Sequence, residues 1–93
     1  SSIEIPQVLT ISPAYPNPFN PVTKFTFGLP NDGNVEVNVF DVNGRLISNL
    51  VNNYMIAGSY EVEWNGLNQP SGMYLIKVQY NNEIRTEKIM LVK

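Results

Sequence analysis

Ninety-three residues, 43% hydrophobic and 15% charged, suit one small domain rather than two. Six basic against eight acidic residues give a net charge of −2, which supplies no electrostatic footprint for nucleic acid, and no apolar run approaches the ~18 residues of a membrane helix. Cysteine and histidine are both absent, which removes disulfides, thiolate and imidazole metal sites, and the Ser–His and Cys–His pairs of nucleophilic catalysis.

The start, Ser1-Ser2-Ile3-Glu4, has neither the basic nor the apolar region of a signal peptide; for an exported protein the leader is expected upstream of this stretch. Residues 1–13 read as a linker or tether with one short edge strand at Gln7–Ile11, bracketed by Pro6 and Pro13. The folded module is expected to occupy residues 14–93. It begins at Tyr15-Pro16-Asn17-Pro18-Phe19-Asn20-Pro21, where three prolines exclude both helix and central strand. Two aromatics in so stiff a loop predict that Tyr15 or Phe19 plugs one end of a core.

From Val22 the apolar period becomes two. Phe25, Phe27 and Leu29 alternate with Lys24, Thr26 and Gly28, and after a Pro30–Gly33 turn Val35, Val37 and Val39 alternate with Glu36 and Asn38. Phe40 breaks that alternation just before Asp41-Val42-Asn43-Gly44-Arg45, whose Asn-Gly pair signals a tight turn. Leu46–Val51 fits a helical turn or a strand, and its many poor helix formers favour a strand with a bulge. Asn52–Ser59 reads as a polar connection. Tyr60, Val62 and Trp64 predict the next strand, and Tyr74, Ile76, Val78 and Tyr80 another, returned by an Asn81-Asn82 turn into Glu83–Val92. About seven short strands and no convincing helix predict an all-β, immunoglobulin-like antiparallel sandwich.

Few residues invite chemistry. Glu61 and Glu63 share one strand face opposite Tyr60, Val62 and Trp64, which fits solvated charges better than a catalytic carboxylate pair. Asp32 and Asp41 suit Asx-turns, and Asp41 with Asn43 lacks the dense oxygen ligands of a calcium loop. Trp64 could stack on a sugar, but its parity with Tyr60 and Val62 points inward. Lys24, Arg45, Lys77, Arg85, Lys88 and Lys93 are too scattered for a nucleic-acid stripe. No catalytic residue, cofactor motif or metal site emerges, and an enzyme is not expected.

Six segments in fixed order resemble the type A C-terminal sorting domain of the type IX (Por) secretion system. They are Tyr15–Pro21, Lys24–Pro30, Val37–Arg45, Ala57-Gly58 with Trp64-Asn65-Gly66, Ser71–Val78 and Lys88–Lys93, so that the resemblance covers Ala14 to Lys93. It implies an immunoglobulin-like fold and a non-catalytic signal that directs a larger upstream cargo through the outer membrane. The implied partners are the type IX machinery and its sortase-like surface enzyme, with passage through the periplasm to the cell surface or beyond. Carried over to this chain, the recognition candidates are Gly72, Tyr74, Lys88, Ile89, Met90, Leu91, Val92 and Lys93. Pro16, Asn17, Pro18, Phe19, Asn20 and Pro21, with Asp41, Gly44 and Arg45, would be structural motifs. Bottom-up reading alone leaves open a different class, a carbohydrate-binding or spacer module of a secreted hydrolase. One mechanism compatible with a sorting signal is strand addition to the last strand.

Overall fold

The computed structural model describes residues 7–93; residues 1–6, where the expected tether begins, lie outside the described residues. The described chain forms seven strands: β1 (Thr10–Ile11), β2 (Val22–Leu29), β3 (Gly33–Asp41), β4 (Leu46–Met55), β5 (Gly58–Asn65), β6 (Gly72–Tyr80) and β7 (Glu83–Leu91). They build two antiparallel sheets, one ordered β1-β2-β5 and the other β4-β3-β6-β7. This is the expected immunoglobulin-like sandwich.

Alternation explains the layering. Phe25, Phe27 and Leu29 of β2, Val35, Val37 and Val39 of β3, and Ile76 and Val78 of β6 are buried in one core, because period-two spacing puts each set on one pleated face. Trp64 joins them at 4% exposure, packed against Phe19 and Tyr74, and so offers no open stacking face to a sugar. Glu61 and Glu63 point to solvent on β5. Leu9 is buried and β1 pairs with β2 at the edge of its sheet, so this part of the segment before residue 14 packs onto the sandwich.

The structure alters one expectation and bears out another. The polar stretch from Asn52 is not a long connection: β4 runs to Met55 by pairing Asn52 and Asn53 with Glu36 and Val35, leaving only Ile56 and Ala57 before β5. Ladder hydrogen bonds with a strong neighbouring strand override the weak strand preference of asparagine. The ambiguous Leu46–Val51 stretch is a strand, and its register against β3 shifts twice, between Val37 and Asn38 and between Val39 and Phe40. Those bulges let Ile47, Leu50 and Val51 all pack on the core. At the other end of β6, Asn81 takes a φ of 54° and closes the two-residue turn into β7.

Candidate functional site

The loop Tyr15–Pro21 and the last strand, far apart in sequence, form one seam. In an antiparallel edge strand, alternate residues direct their backbone groups away from the sheet, and on β7 these are Lys88 and Met90. The loop takes them up. Asn17 Nδ2 donates to the Lys88 carbonyl at 3.0 Å, and the Met90 N–H donates to Asn17 Oδ1 at 3.0 Å. Phe19 continues the pairing as a parallel bridge to Leu91: its N–H donates to the Met90 carbonyl at 2.9 Å, and the Val92 N–H donates to the Phe19 carbonyl at 3.0 Å. The side-chain amide of Asn17 thus imitates one residue of a strand where the prolines on either side cannot donate. Just before the loop, the Ala14 N–H donates to Glu87 Oε2 at 3.2 Å.

Beneath the seam lies an aromatic plug. The Phe19 ring sits 5.6 Å from that of Trp64, which meets Tyr74 edge-on at 5.2 Å. Gly66 completes the cluster; a Cβ there would stand 3.1 Å from Leu91 and 3.3 Å from Trp64. The loop is anchored from its other side by Thr23, whose buried hydroxyl donates to the Pro16 carbonyl at 2.8 Å, and by Gly66 N–H donating to the Pro21 carbonyl at 2.8 Å. Of the two candidate plugs, Phe19 is the one buried, while Tyr15 is 81% exposed.

These contacts sort the recognition candidates by access. Tyr74 is buried, and its hydroxyl donates to the Pro70 carbonyl at 2.6 Å; burial, followed by the nearby Asp41 charge, raises the phenol above its ordinary value. Ile89 and Leu91 are buried as well, so the candidates left exposed are Lys88 and Met90 on β7 and Val92 and Lys93 just after it. Lys93 is tied down: its N–H donates to Ser71 Oγ at 3.0 Å and its Nζ donates to the Leu67 carbonyl at 2.6 Å. Gly72 opens β6 with a φ of +155°, a backbone geometry that L side chains rarely adopt, which gives the glycine a conformational reason. Pro16, Asn17, Pro18 and Asn20 are exposed along the seam.

The Asp41–Arg45 turn is a closed unit. Asp41 Oδ1 accepts from the Asn43 and Arg45 N–H groups, each at 2.9 Å, and Oδ2 lies 3.5 Å from Arg45 Nε. Gly44 supplies the positive φ of 80° that the turn requires. The Arg45 N–H above all, opposed by burial and joined by the Asn43 N–H and the Arg45 charge, holds the Asp41 carboxyl below its usual range. The carboxylate serves its own turn.

Sequence reading missed the Asn17 contacts, and no periodicity could have disclosed them, because they are made by a loop across more than seventy positions. The structure places the loop and the last strand side by side.

Comparison with known proteins then decides the family. The description "Secretion system C-terminal sorting domain" matches residues 13–93. The chain belongs to that family. The sandwich is similar to the crystal structure of dimeric latent PorU from Porphyromonas gingivalis, with 25% identity and a TM-score of 0.69 over 91% of this chain and 9% of that one. The chain therefore spans only a small fraction of PorU's length. No curated protein matches it. As a sorting domain it is a signal for type IX secretion, implying interaction with that machinery and export to the cell surface or the extracellular space. Among the described residues no helix is long and apolar enough to cross a membrane.

Proposed function

We propose that residues 14–93 are the export address of a larger cargo chain, read in folded form by the type IX machinery at the seam between the Tyr15–Pro21 loop and β7. The observation that carries this reading is the family match over residues 13–93. In it, the preceding segment joins the address to the cargo, the chain folds in the periplasm, and a sortase-like enzyme acts on the delivered protein at the surface. The residues available for reading are Lys88, Met90, Val92 and Lys93, with Asn17 and its flanking prolines alongside. Tyr74, Ile89, Leu91 and Gly72 support them from below or through the backbone.

Strand addition along Lys88–Val92 is disfavoured as the mode of reading. The outward backbone groups there are already bonded to Asn17 and Phe19, so an incoming strand would first have to displace the loop. Docking on side chains leaves those bonds intact.

The test is transplantation. A passive periplasmic reporter carrying residues 1–93 at its C-terminus, expressed in a type IX-competent bacterium, is expected outside the cell, and the same reporter without the domain is expected to stay in the periplasm. Equal distribution of both reporters would reduce the domain to a spacer.

A further inference from the structure

The outer face of the four-stranded sheet carries an apolar strip where an exposed antiparallel face is ordinarily polar. Register aligns Leu46, Phe40, Leu75 and Lys88 in one row across all four strands, and Met73 with Met90 in the next. Cross-strand partners share a face, so these side chains stand together on the side away from the core. Leu46, Met73 and Met90 are among the exposed large hydrophobics, and Val42 in the adjoining turn is 74% exposed. A depression of about 450 Å³ opens there, lined by Phe40, Val42, Met73 and Leu75 and flanked by Lys77 and Lys88. Farther along the same face, beyond Lys77, the side chains become mostly polar: Asn38, Glu36 and Gln79. The strip is therefore local, and it adjoins the seam through Met90 and Lys88, whose backbone groups Asn17 bonds.

The rim charge indicates what fits. The chain as a whole is acidic, at −2, yet the flanking groups are two lysines. Lys77 Nζ stands 5.8 Å from the Phe40 ring centroid, and the one ion pair among the described residues is Arg45–Asp41, so among those residues neither lysine has a carboxylate partner. Asp41, the one acid lining the depression, is occupied by its own turn. An open hollow of this size would leave an acyl chain largely in water, whereas it accepts two or three peptide side chains whose own backbone covers them.

We propose that this strip docks an extended segment of a partner protein in which every second side chain, the set that faces the sheet, is leucine, aromatic or carboxylate. Its apolar side chains fill the hollow over Phe40 and Leu75, and the carboxylates among the same sheet-facing set meet Lys77 and Lys88. That the partner is a component of the export machinery rests on the functional reading above; the chemistry of the surface does not.

The test uses the purified domain, isotope-labelled for NMR, and three probes. These are a synthetic ten-residue peptide whose alternate positions carry glutamate, leucine, phenylalanine, leucine and glutamate with serine between them, the same peptide with lysine for glutamate, and vesicles of phosphatidylglycerol. The acidic peptide is expected to bind several-fold more tightly than the basic one and to move the amide signals of Phe40, Leu75 and Lys88. Leu75→Asp, and independently the more exposed Met73→Asp, are expected to weaken it by roughly tenfold or more, because each sets a carboxylate into the apolar contact and the one at position 75 also takes up Lys88, its cross-strand partner. Lys77→Glu combined with Lys88→Glu is expected to reverse the peptide preference, with the core amide signals of β2 and β5 unchanged. No binding, equal binding of both peptides, shifts confined to other faces, or binding of vesicles in place of peptide would each overturn the proposal. Reporter export separates the two readings. Export untouched by Met73→Asp, when that variant no longer binds peptide, removes the strip from export while leaving the sorting function; failure of the unaltered domain to export overturns the sorting function and leaves the peptide result standing.

Discussion

Asn17 replaces a strand residue with a side chain. Its amide both donates and accepts, and each bond goes to the backbone of β7 rather than to another side chain. Asn17→Ala removes both bonds and returns the Lys88 carbonyl and the Met90 N–H to water, since this part of the seam is exposed. The expected loss is about 1–2 kcal/mol of stability, read by denaturant unfolding. Hydrogen exchange at the Met90 amide should also accelerate by roughly an order of magnitude, with the β2 amides less affected. Unchanged exchange at Met90 would mean that the loop adds nothing to the strand edge. Asp41 makes a different, pH-dependent contribution. Its folded-state affinity for protons is lowered, so its stabilisation is complete above the unfolded value of 3.8 and is lost as pH falls through the lower folded value. The melting temperature of Asp41→Asn should therefore lie below that of the unaltered protein at neutral pH, and the gap should close on acidification below 3.8. A gap that widens in acid would reverse the sign of the argument.

At the scale of elements, the two aromatics of the loop part company. Phe19 is buried between Trp64 and the last strand, so Phe19→Ala should cost about 3–5 kcal/mol. Tyr15→Ala, at a side chain 81% exposed, should stay within about 0.5 kcal/mol in the same thermal or denaturant unfolding. Sequence reading narrowed the plug to these two residues and could go no further, because loop residues have no parity to sort them. Strands were legible where one face alone is buried: β2, β3, β5 and β6 alternate plainly. The far end of β4 was not legible, since Asn52 and Asn53 become strand only through the ladder that β3 offers them. The outer apolar strip left a faint trace. Phe40 breaks the valine alternation of β3, and Leu75 stands among the polar positions of β6. Each looks like an irregularity in its own strand; pairing of β3 with β6 makes them neighbours.

Seen as a whole molecule, the sandwich has strands β1 and β5 at the edges of one sheet and β4 and β7 at the edges of the other. Each edge is a place where foreign chains could add. The bulges of β4 disturb one of them, and the Tyr15–Pro21 loop closes the last-strand half of another. The loop motif, Trp64, Gly66, Tyr74 and the last strand thus converge at one end of the fold, with the loop outside, the plug within and β7 between them. On the proposed reading of a folded surface there, rather than of a peptide threaded from an unfolded tail, export would depend on few exposed side chains and on intact folding together. The most direct measurement is the extracellular fraction of a reporter fused to the domain, with Lys88→Ala and Lys93→Ala combined, compared with Glu61→Ala and Glu63→Ala on the opposite sheet. Both double variants must first match the unaltered domain in thermal unfolding. The account expects the lysine pair to leave the reporter in the periplasm and the glutamate pair to be exported normally. Normal export of the lysine variant, or equal loss in both, would contradict recognition at the seam.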